Sequence, residues 1–140
     1  MFLKVQKISP DAKLPVRAHA TDAGLDIFAL EETVIAPNKW QLVRTGIKIA
    51  LPEATVGLIW DKSGLAAKGL TLLAGVIDEG YRGEILINVL NLNTEDYKVE
   101  AGQKIAQLLV QPITYPEIIE AEIDEFTERG EQGHGSTGLL

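Results

Sequence analysis

The 140-residue sequence contains no cysteine and only two histidines, His19 and His134. Without cysteine, a disulfide framework and a cysteine-ligated zinc site are both excluded. Two histidines so far apart are too few to indicate a histidine-ligated metal. Any metal bound here would therefore be held by oxygen atoms, which favours Mg²⁺.

The chain also lacks a long apolar run and a basic stripe. No stretch approaches the roughly 18 consecutive apolar residues of a membrane helix, and residues 1–6 alternate like a strand instead of resembling a signal peptide. We therefore expect a cytoplasmic protein without membrane contacts. The net charge of −7 argues against nucleic-acid binding. A small anionic substrate is still compatible if a few cations and a metal meet its charge locally.

The apolar residues that are present recur mostly with a period of two, which is typical of strands. Strands are predicted at 2–7, 45–51, 56–60, 70–73, 84–90 and 104–111, with turn-forming residues between them. Many short, closely spaced strands indicate an all-β protein with a jelly-roll-like β-sandwich. One short helix is expected at 63–69, with Ser63 as N-cap and Gly69 just past its end.

We expect one β domain at residues 1–128, followed by a flexible, glycine-rich C-terminal segment at 129–140 of the same domain. Residues 133–138 match the dinucleotide-binding pattern G-x-G-x-x-G, but only two residues follow, so no helix can begin there and that interpretation fails. The segment is either a frayed tail or a lid whose amides and hydroxyls wrap phosphates.

Three internal segments carry candidate chemistry. Residues 22–26 offer a carboxylate that leads into a strand and is suited to hold metal-bound water, although this signal proves nothing by itself. Asp78 follows the apolar residues Val76 and Ile77 in a predicted hairpin, where it is either a turn residue that accepts backbone hydrogen bonds or a general base that deprotonates water. Lys62 and Ser63, at the predicted helix start, are suited to bind phosphate.

Five segments in order resemble the five motifs of the trimeric dUTPases. They are residues 23–26, 62–66, 75–83, 102–108, and 129–130 with 133–138. Each motif is modest by itself, but five in the same order at compatible spacing are highly specific. The resemblance implies a homotrimer with active sites at subunit interfaces. It implies hydrolysis of dUTP to dUMP and pyrophosphate, which removes dUTP and supplies dUMP for thymidylate synthesis.

The resemblance also implies a role for individual residues. Asp78 would activate the water that attacks the α-phosphorus, and Asp26 would hold Mg²⁺ through water. The base and sugar would contact Gly75, Val76, Ile77 and Tyr81. The phosphates would contact Lys62, Ser63, Gly64, Gln107 and Arg129, whereas His134 would cover the uracil and Gly135, Ser136 and Thr137 would supply amides and hydroxyls.

Four positions depart from the usual family pattern. Lys62 stands where arginine is usual, so a guanidinium that can donate two parallel hydrogen bonds is replaced by an ammonium that acts as a point charge. Asp61 stands where proline is common, and it either turns away from the phosphates or pairs with a neighbouring lysine. Gly80 replaces an aspartate. His134 replaces a phenylalanine, which buries more apolar area against a base.

Two alternatives compete with this interpretation. A dCTP deaminase-like enzyme of the same superfamily needs a glutamate on the strand after the hairpin, where this chain has Asn88, which cannot shuttle a proton. A low-turnover nucleotide-binding or regulatory trimer is suggested by Lys62 and His134. The retention of both Asp26 and Asp78 favours the hydrolase.

Overall fold

The computed structural model describes residues 2–123, 126–127 and 130. Within these residues the chain forms eleven strands and one short helix. The elements are β1 (Lys4–Lys7), β2 (Leu25–Phe28), β3 (Thr33–Ile35), β4 (Trp40–Arg44), β5 (Ile47–Ala50), β6 (Thr55–Trp60), α1 (Ser63–Ala66), β7 (Leu70–Leu72), β8 (Val76–Ile77), β9 (Leu86–Asn91), β10 (Tyr97–Val99) and β11 (Lys104–Pro112).

The strands pair antiparallel throughout the described residues. Two sheets carry most of the fold: one has the order β2-β11-β6-β8 and the other the order β4-β9-β7. The pairs β1-β5 and β3-β10 flank them. The architecture confirms the predicted all-β, jelly-roll-like sandwich, and each strand predicted from the alternation overlaps an observed one.

The core lies between the sheets and consists mainly of β-branched and aliphatic side chains, which favour the extended backbone. Inward-facing positions alternate with outward ones, as in β9, where Ile87 and Val89 are buried and their neighbours are more exposed. The largest fully buried apolar side chains are Ile27, Ile35, Ile47, Ile87, Ile105, Leu108, Val43, Val89 and Val99. No helix in the described part of the chain is both long and apolar enough to cross a membrane.

Strand β6 sets the geometry of the functional residues because it pairs on both sides. One edge pairs with β8, with Gly57 opposite Ile77, and the other pairs with β11, with Trp60 opposite Gln107. The β8 contact lies toward the start of β6 and the Gln107 contact lies at its end. Two groups of candidate residues are thus anchored to different ends of one strand.

The short helix begins one residue earlier than its predicted cap implies. Lys62, not Ser63, is the N-cap; its backbone is extended, and its carbonyl accepts hydrogen bonds from the amides of Leu65 and Ala66, both at 2.9 Å. The prediction of Ser63 as N-cap is therefore wrong, because Ser63 already has helical geometry. Gly69 lies just past the helix with φ of +75°, a conformation that favours glycine, as predicted.

Candidate active site

A cavity of about 290 Å³ opens beside residues 73–83, the segment predicted as a hairpin, which we call the hairpin after that prediction. The predicted strand pairing within it is wrong: β8 pairs with β6, whereas β7 and β9 belong to the other sheet. Residues 72–78, Tyr81 and residues 84–88 form most of its wall, and Leu42 and Ile59 complete it. Its charged lining residues are two acids, Asp78 and Glu84; among the described residues, no lysine or arginine lines it. We call this space the hairpin cavity. Its mostly apolar, cation-free wall suits an uncharged planar group better than a phosphate.

The hairpin approaches β6 more closely than a side chain would allow. Gly75 has φ of +137°, and its carbonyl accepts a 2.8 Å hydrogen bond from the amide of Ile59. A Cβ on Gly75 would lie 2.6 Å from the carbonyl oxygen of Ile59. Glycine is required there on both counts, which gives a structural reason for one predicted site residue.

Asp78 and Tyr81 lie together on the turn that follows β8. The Asp78 carbonyl accepts a 3.0 Å hydrogen bond from the Tyr81 amide, and the Asp78 side chain is exposed at the cavity wall. The Tyr81 hydroxyl donates to the carbonyl of Glu84 at 3.0 Å. A Cβ on Gly83 would lie 2.2 Å from that hydroxyl, so the missing side chain makes room for the Tyr81 ring. The structure thus brings together Gly75, Val76, Ile77, Asp78 and Tyr81.

Asn88 also lines the hairpin cavity, and the functional assignment from sequence did not include it. Its Oδ1 is buried and has no hydrogen-bond partner among the described residues. An unpaired buried polar atom costs about 1–3 kcal/mol and calls for an explanation. The available sequence signal was an amide interrupting the apolar run at residues 85–90.

Asp26 forms the centre of a second group of predicted residues. It is 6% exposed; one carboxylate oxygen accepts a hydrogen bond from Lys62 Nζ, and the other lies 2.6 Å from Lys104 Nζ. Burial raises the pKa of Asp26, but the hydrogen bonds from Lys104 and Lys62 outweigh it, so the net pKa is lowered. Lys104 was absent from the predicted site, although it lies within the fourth recognised segment.

Gln107 connects the same group to the end of β6. Its Nε2 donates a 2.8 Å hydrogen bond to the carbonyl of Asp61. A Cβ on Gly24 would lie 2.3 Å from Gln107 Oε1, so Gly24 provides the space for this amide. The Asp61 carboxylate accepts from Thr71 Oγ1 at 2.9 Å and from the Leu72 amide at 2.8 Å. Asp61 thus binds β7 and does not pair with a lysine.

Ser63 and Gly64 complete this group, which we call the anion cradle: Asp26, Lys62, Ser63, Gly64 and Gln107. Both Ser63 and Gly64 are exposed. Their amides belong to the first turn of α1, where a helix has no internal acceptor for them. A Cβ on Gly64 would meet no atom within 4 Å, so the backbone there is open to a ligand. A groove of about 710 Å³ runs beside the cradle and is lined by Lys62, Lys68, Lys98 and Lys104, together with Glu100.

Within one chain, Asp78 and the anion cradle are attached to different parts of β6, and the cavity wall reaches the cradle's neighbour Asp61 through the amide of Leu72. Asp78 follows Ile77, which pairs with Gly57, whereas the cradle begins two residues beyond Trp60. At about 3.3 Å per residue, five extended residues from Gly57 to Lys62 correspond to roughly 16 Å. The remaining predicted residues, Arg129, His134, Gly135, Ser136 and Thr137, lie outside the described residues.

The cradle does not form a metal-binding cage by itself. No cluster of three or more histidine, aspartate or glutamate side chains with metal-binding geometry occurs in the part of the chain that the structure describes. Both oxygens of Asp26 are engaged by ammonium groups. This donor set fits Mg²⁺ only in the way common for nucleotide enzymes, where substrate phosphates and water supply most ligands.

Comparison with known proteins gives one consistent result. The family model for dUTPase matches residues 10–138. The deoxyuridine 5'-triphosphate nucleotidohydrolase of Clostridium kluyveri is 49% identical over 143 residues, covering 100% of both chains. The corresponding protein of Clostridium novyi is 48% identical over 144 residues, covering 99% of this chain and 100% of the relative.

Solved structures agree with the sequence relatives. The dUTPase of Staphylococcus bacteriophage 80alpha with dUPNHPP superposes with a TM-score of 0.92 at 34% identity, covering 99% of each chain. A mutant dUTPase from phage phi11 of S. aureus, described with a structural Mg(II) ion, superposes with a TM-score of 0.83 at 33% identity. That alignment covers 90% of this chain and 100% of the phage chain.

Proposed function

The chain belongs to the dUTPase family and hydrolyses dUTP to dUMP and pyrophosphate, and from this premise we propose that Asp78 is the general base. Asp78 takes a proton from a water molecule whose oxygen attacks the α-phosphorus. The bond between the α-phosphorus and its bridging oxygen then breaks, and pyrophosphate leaves. The observation that carries this proposal is the exposed carboxylate of Asp78 on the wall of a cavity without cations.

Neither alternative function is favoured. The relatives that are nearly half identical over the whole chain are dUTP nucleotidohydrolases. No specific observation favours deamination or a low-turnover binder. Asn88 occupies the position where a deaminase would need a glutamate.

We propose that the hairpin cavity binds the uracil and deoxyribose. Its apolar wall suits a planar base, and its acids disfavour the phosphates. The close approach of Gly75 to Ile59 makes the hairpin rigid at the point where the backbone of residues 73–77 would hydrogen-bond uracil. Tyr81, held against Gly83, packs under the sugar and leaves no room for a 2′-hydroxyl.

The anion cradle binds the phosphates in this proposal. Lys62 supplies positive charge, Ser63 and Gly64 supply helix-start amides, and Gln107 fixes the strand beside them. Lys104 adds a second cation to the cradle. When dUTP binds, the ammonium groups of Lys62 and Lys104 can turn from Asp26 to phosphate oxygens, which would release a carboxylate oxygen.

We propose Mg²⁺ as the cofactor, held mainly by the triphosphate and contacted by Asp26 through water. Bound Mg²⁺ would offset the phosphate charge and orient the chain of phosphates. The Asp26 carboxylate is ionised at neutral pH and its pKa is lowered by the two lysines, so it can accept hydrogen bonds from metal-bound water. A calorimetric titration of Mg²⁺ into the protein without nucleotide should give weak binding, whereas tight binding without nucleotide would contradict this arrangement.

We further propose a homotrimer whose active sites combine chains. A base, its water and the α-phosphorus must lie within hydrogen-bond reach of one another, but within one chain the extended backbone from Gly57, the partner of Ile77, to Lys62 spans roughly 16 Å. When the hairpin of one copy faces the anion cradle of a neighbouring copy, Asp78 and the bound phosphates come close together. The protein would act in the cytoplasm, where deoxynucleotides are made, and would need no nucleic-acid partner.

Mixed oligomers test whether each active site combines the hairpin of one chain with the anion cradle of another. Asp78→Asn and Lys62→Ala should each be nearly inactive alone. After the two variants are unfolded and refolded together, about a quarter of the sites would combine an intact hairpin with an intact cradle. Pyrophosphate release should recover to about a quarter of the wild-type rate. Equal inactivity before and after mixing, with hetero-oligomers verified by mass spectrometry, would place both groups on the same chain.

We also propose that the C-terminal residues 129–140 act as a lid over the bound nucleotide. Arg129 would meet the γ-phosphate, His134 would cover the uracil, and Gly135, Ser136 and Thr137 would contact the phosphates. A chain that ends at residue 128 should remain folded and assembled, as circular dichroism and light scattering would verify. Its turnover should fall sharply, and unchanged kinetics would show that residues 129–140 have no role in the reaction.

The general base is tested by Asp78→Asn, with Asp96→Asn as the matched control on an exposed turn. Pyrophosphate release by Asp78→Asn should fall by at least about 10²-fold, while its Kd for dUTP stays within a few-fold of the wild type. Asp96→Asn should retain full turnover. Substantial turnover by Asp78→Asn would remove the proposed role.

A further inference from the structure

Asn88 presents the one buried side-chain atom without a hydrogen-bond partner that the described residues contain, its Oδ1. The side chain lies on β9 and lines the hairpin cavity. Polar groups buried in proteins are nearly always paired, by protein, water or ligand. An unpaired amide oxygen at the wall of a substrate cavity therefore points to a partner that arrives with the substrate.

The neighbours of Asn88 explain why the protein itself offers no partner. Leu42 lies opposite Asn88 in the β4-β9 pairing, and the Leu73 amide donates to the Asn88 carbonyl, so the flanking positions are apolar. Leu86 lies on the same face of β9, two residues earlier. A leucine or valine would suit such surroundings better than an amide, since it carries no polar atoms to satisfy.

The chemistry of the cavity selects which part of the substrate can reach this amide. The charged lining residues are acids, and lysine and arginine are absent from the described lining. A phosphate would meet repulsion there. A uracil base offers a flat apolar ring with one N–H flanked by two carbonyl oxygens. Because an asparagine amide carries both a donor and an acceptor, it can pair with that edge.

We propose that the Asn88 side chain hydrogen-bonds the polar edge of the uracil, directly or through one water, and is a specificity-determining residue for dUTP. The inference rests on the proposed placement of the base in the hairpin cavity. The amide contributes to nucleotide binding and not to the chemical step, because the proposed placement puts the base and sugar in this cavity and the phosphates in the anion cradle.

The primary test is Asn88→Val, which removes the amide and keeps a residue suited to a strand. The KM for dUTP should rise about tenfold, equivalent to about 1.4 kcal/mol, and kcat should stay within about twofold. The Kd for dUMP should rise by a similar factor, while the Kd for inorganic tripolyphosphate should not change. The thermal midpoint should stay the same or rise, because an unsatisfied buried group has been removed.

Asn88→Asp identifies which atom of the amide is used. A carboxylate at this position accepts hydrogen bonds but cannot donate them. Retained dUTP affinity would indicate that Oδ1 accepts from the base N–H, and lost affinity would indicate that Nδ2 donates to a base carbonyl; both results support the proposal. Equal affinity of the Asp and Val variants to wild type would overturn it.

Two controls separate the failure of this inference from that of its premise. Tyr81→Ala tests the hairpin cavity independently and should raise the KM for dUTP. If Asn88→Val leaves the KM unchanged while Tyr81→Ala raises it, Asn88 has no role and the base cavity stands. If both leave the KM unchanged, the cavity placement fails as well. A change of oligomeric state in Asn88→Val, measured by light scattering, would assign the amide to a subunit contact and overturn the inference.

Discussion

Tyr115 donates a 2.8 Å hydrogen bond from its hydroxyl to Oε2 of Glu79, the residue that follows Asp78. The same oxygen accepts a 2.9 Å hydrogen bond from the Ala54 amide. The hydrogen bond to the Glu79 carboxylate raises the pKa of Tyr115, because ionisation of the phenol would remove the donated proton. The turn that carries Asp78 is thereby fastened to the segments that precede β6 and follow β11.

Loss of the Tyr115 hydroxyl should reduce turnover without unfolding the protein. Tyr115→Phe removes one of two hydrogen bonds to Glu79, so the Asp78 turn gains freedom and the carboxylate spends less time aligned with its water. We expect kcat to fall about two- to fivefold at constant KM, since one hydrogen bond of this kind contributes on the order of 1 kcal/mol. Steady-state pyrophosphate release measures both constants.

Substitutions at Glu79 provide the control for this effect. Glu79→Gln keeps an acceptor oxygen for both Ala54 and Tyr115 and should preserve kcat, whereas Glu79→Ala should lower it at least as much as Tyr115→Phe. Glu32→Ala removes an exposed acid of an ion pair with Lys98 and should change neither constant. Unaltered kcat in Glu79→Ala would show that the fastening does not position Asp78.

Asp26 should contribute stability that disappears in acid. Its pKa is lowered from the ordinary value of 3.8, so the folded state favours the ionised form. The contribution is therefore complete above pH 3.8 and is lost as the pH falls from there through the folded-state pKa. At pH 6, Asp26→Asn should lower the free energy of unfolding by about 1–3 kcal/mol, toward the lower end because the paired lysines are partly exposed.

Urea denaturation at fixed protein concentration, at pH 6 and at pH 3, measures this contribution. The gap between wild type and Asp26→Asn should narrow at the lower pH, whereas the exposed-turn variant Asp96→Asn should match the wild type at both. A gap that is the same at both pH values would mean that charge is not the source of the stability.

Gly75→Ala should disrupt the hairpin, while Gly80→Ala on the following turn should be tolerated. The added Cβ at position 75 meets the Ile59 carbonyl at 2.6 Å, and a φ of +137° is strained for alanine. A Cβ at position 80 meets no atom within 4 Å. We expect Gly75→Ala to cost about 1–3 kcal/mol and Gly80→Ala to stay within about 0.5 kcal/mol. Chemical denaturation compares the two, and equal stabilities would remove the argument from close approach.

The sequence predicts the elements of this fold better than their contacts. Alternation in residues 84–90 and 104–111 predicts β9 and β11, because the period of two reflects which face of a strand is buried. These features are local, and local features can be predicted from neighbouring residues.

The missed features are contacts between residues far apart in sequence. Tyr115 meets Glu79 across 36 residues, and Asp61 turns to Thr71 instead of to a lysine because β7 brings a hydroxyl and an amide beside it. Lys104 reaches Asp26 only because β11 pairs with β2. Strand register determines each of these pairs, and alternation indicates a strand without identifying its partner.

Gly24→Ala should act on the anion cradle through Gln107. The new Cβ would lie 2.3 Å from Gln107 Oε1 and would push the amide away from the Asp61 carbonyl. Because the clash is with the end of a flexible side chain, the fold should survive, and the KM for dUTP should rise several-fold. Gln107→Ala should raise the KM similarly. If Gly24 acts through Gln107, the double variant should resemble either single one, because two substitutions that remove one interaction are not additive. Additive effects on kcat/KM would show that Gly24 influences the cradle by another route.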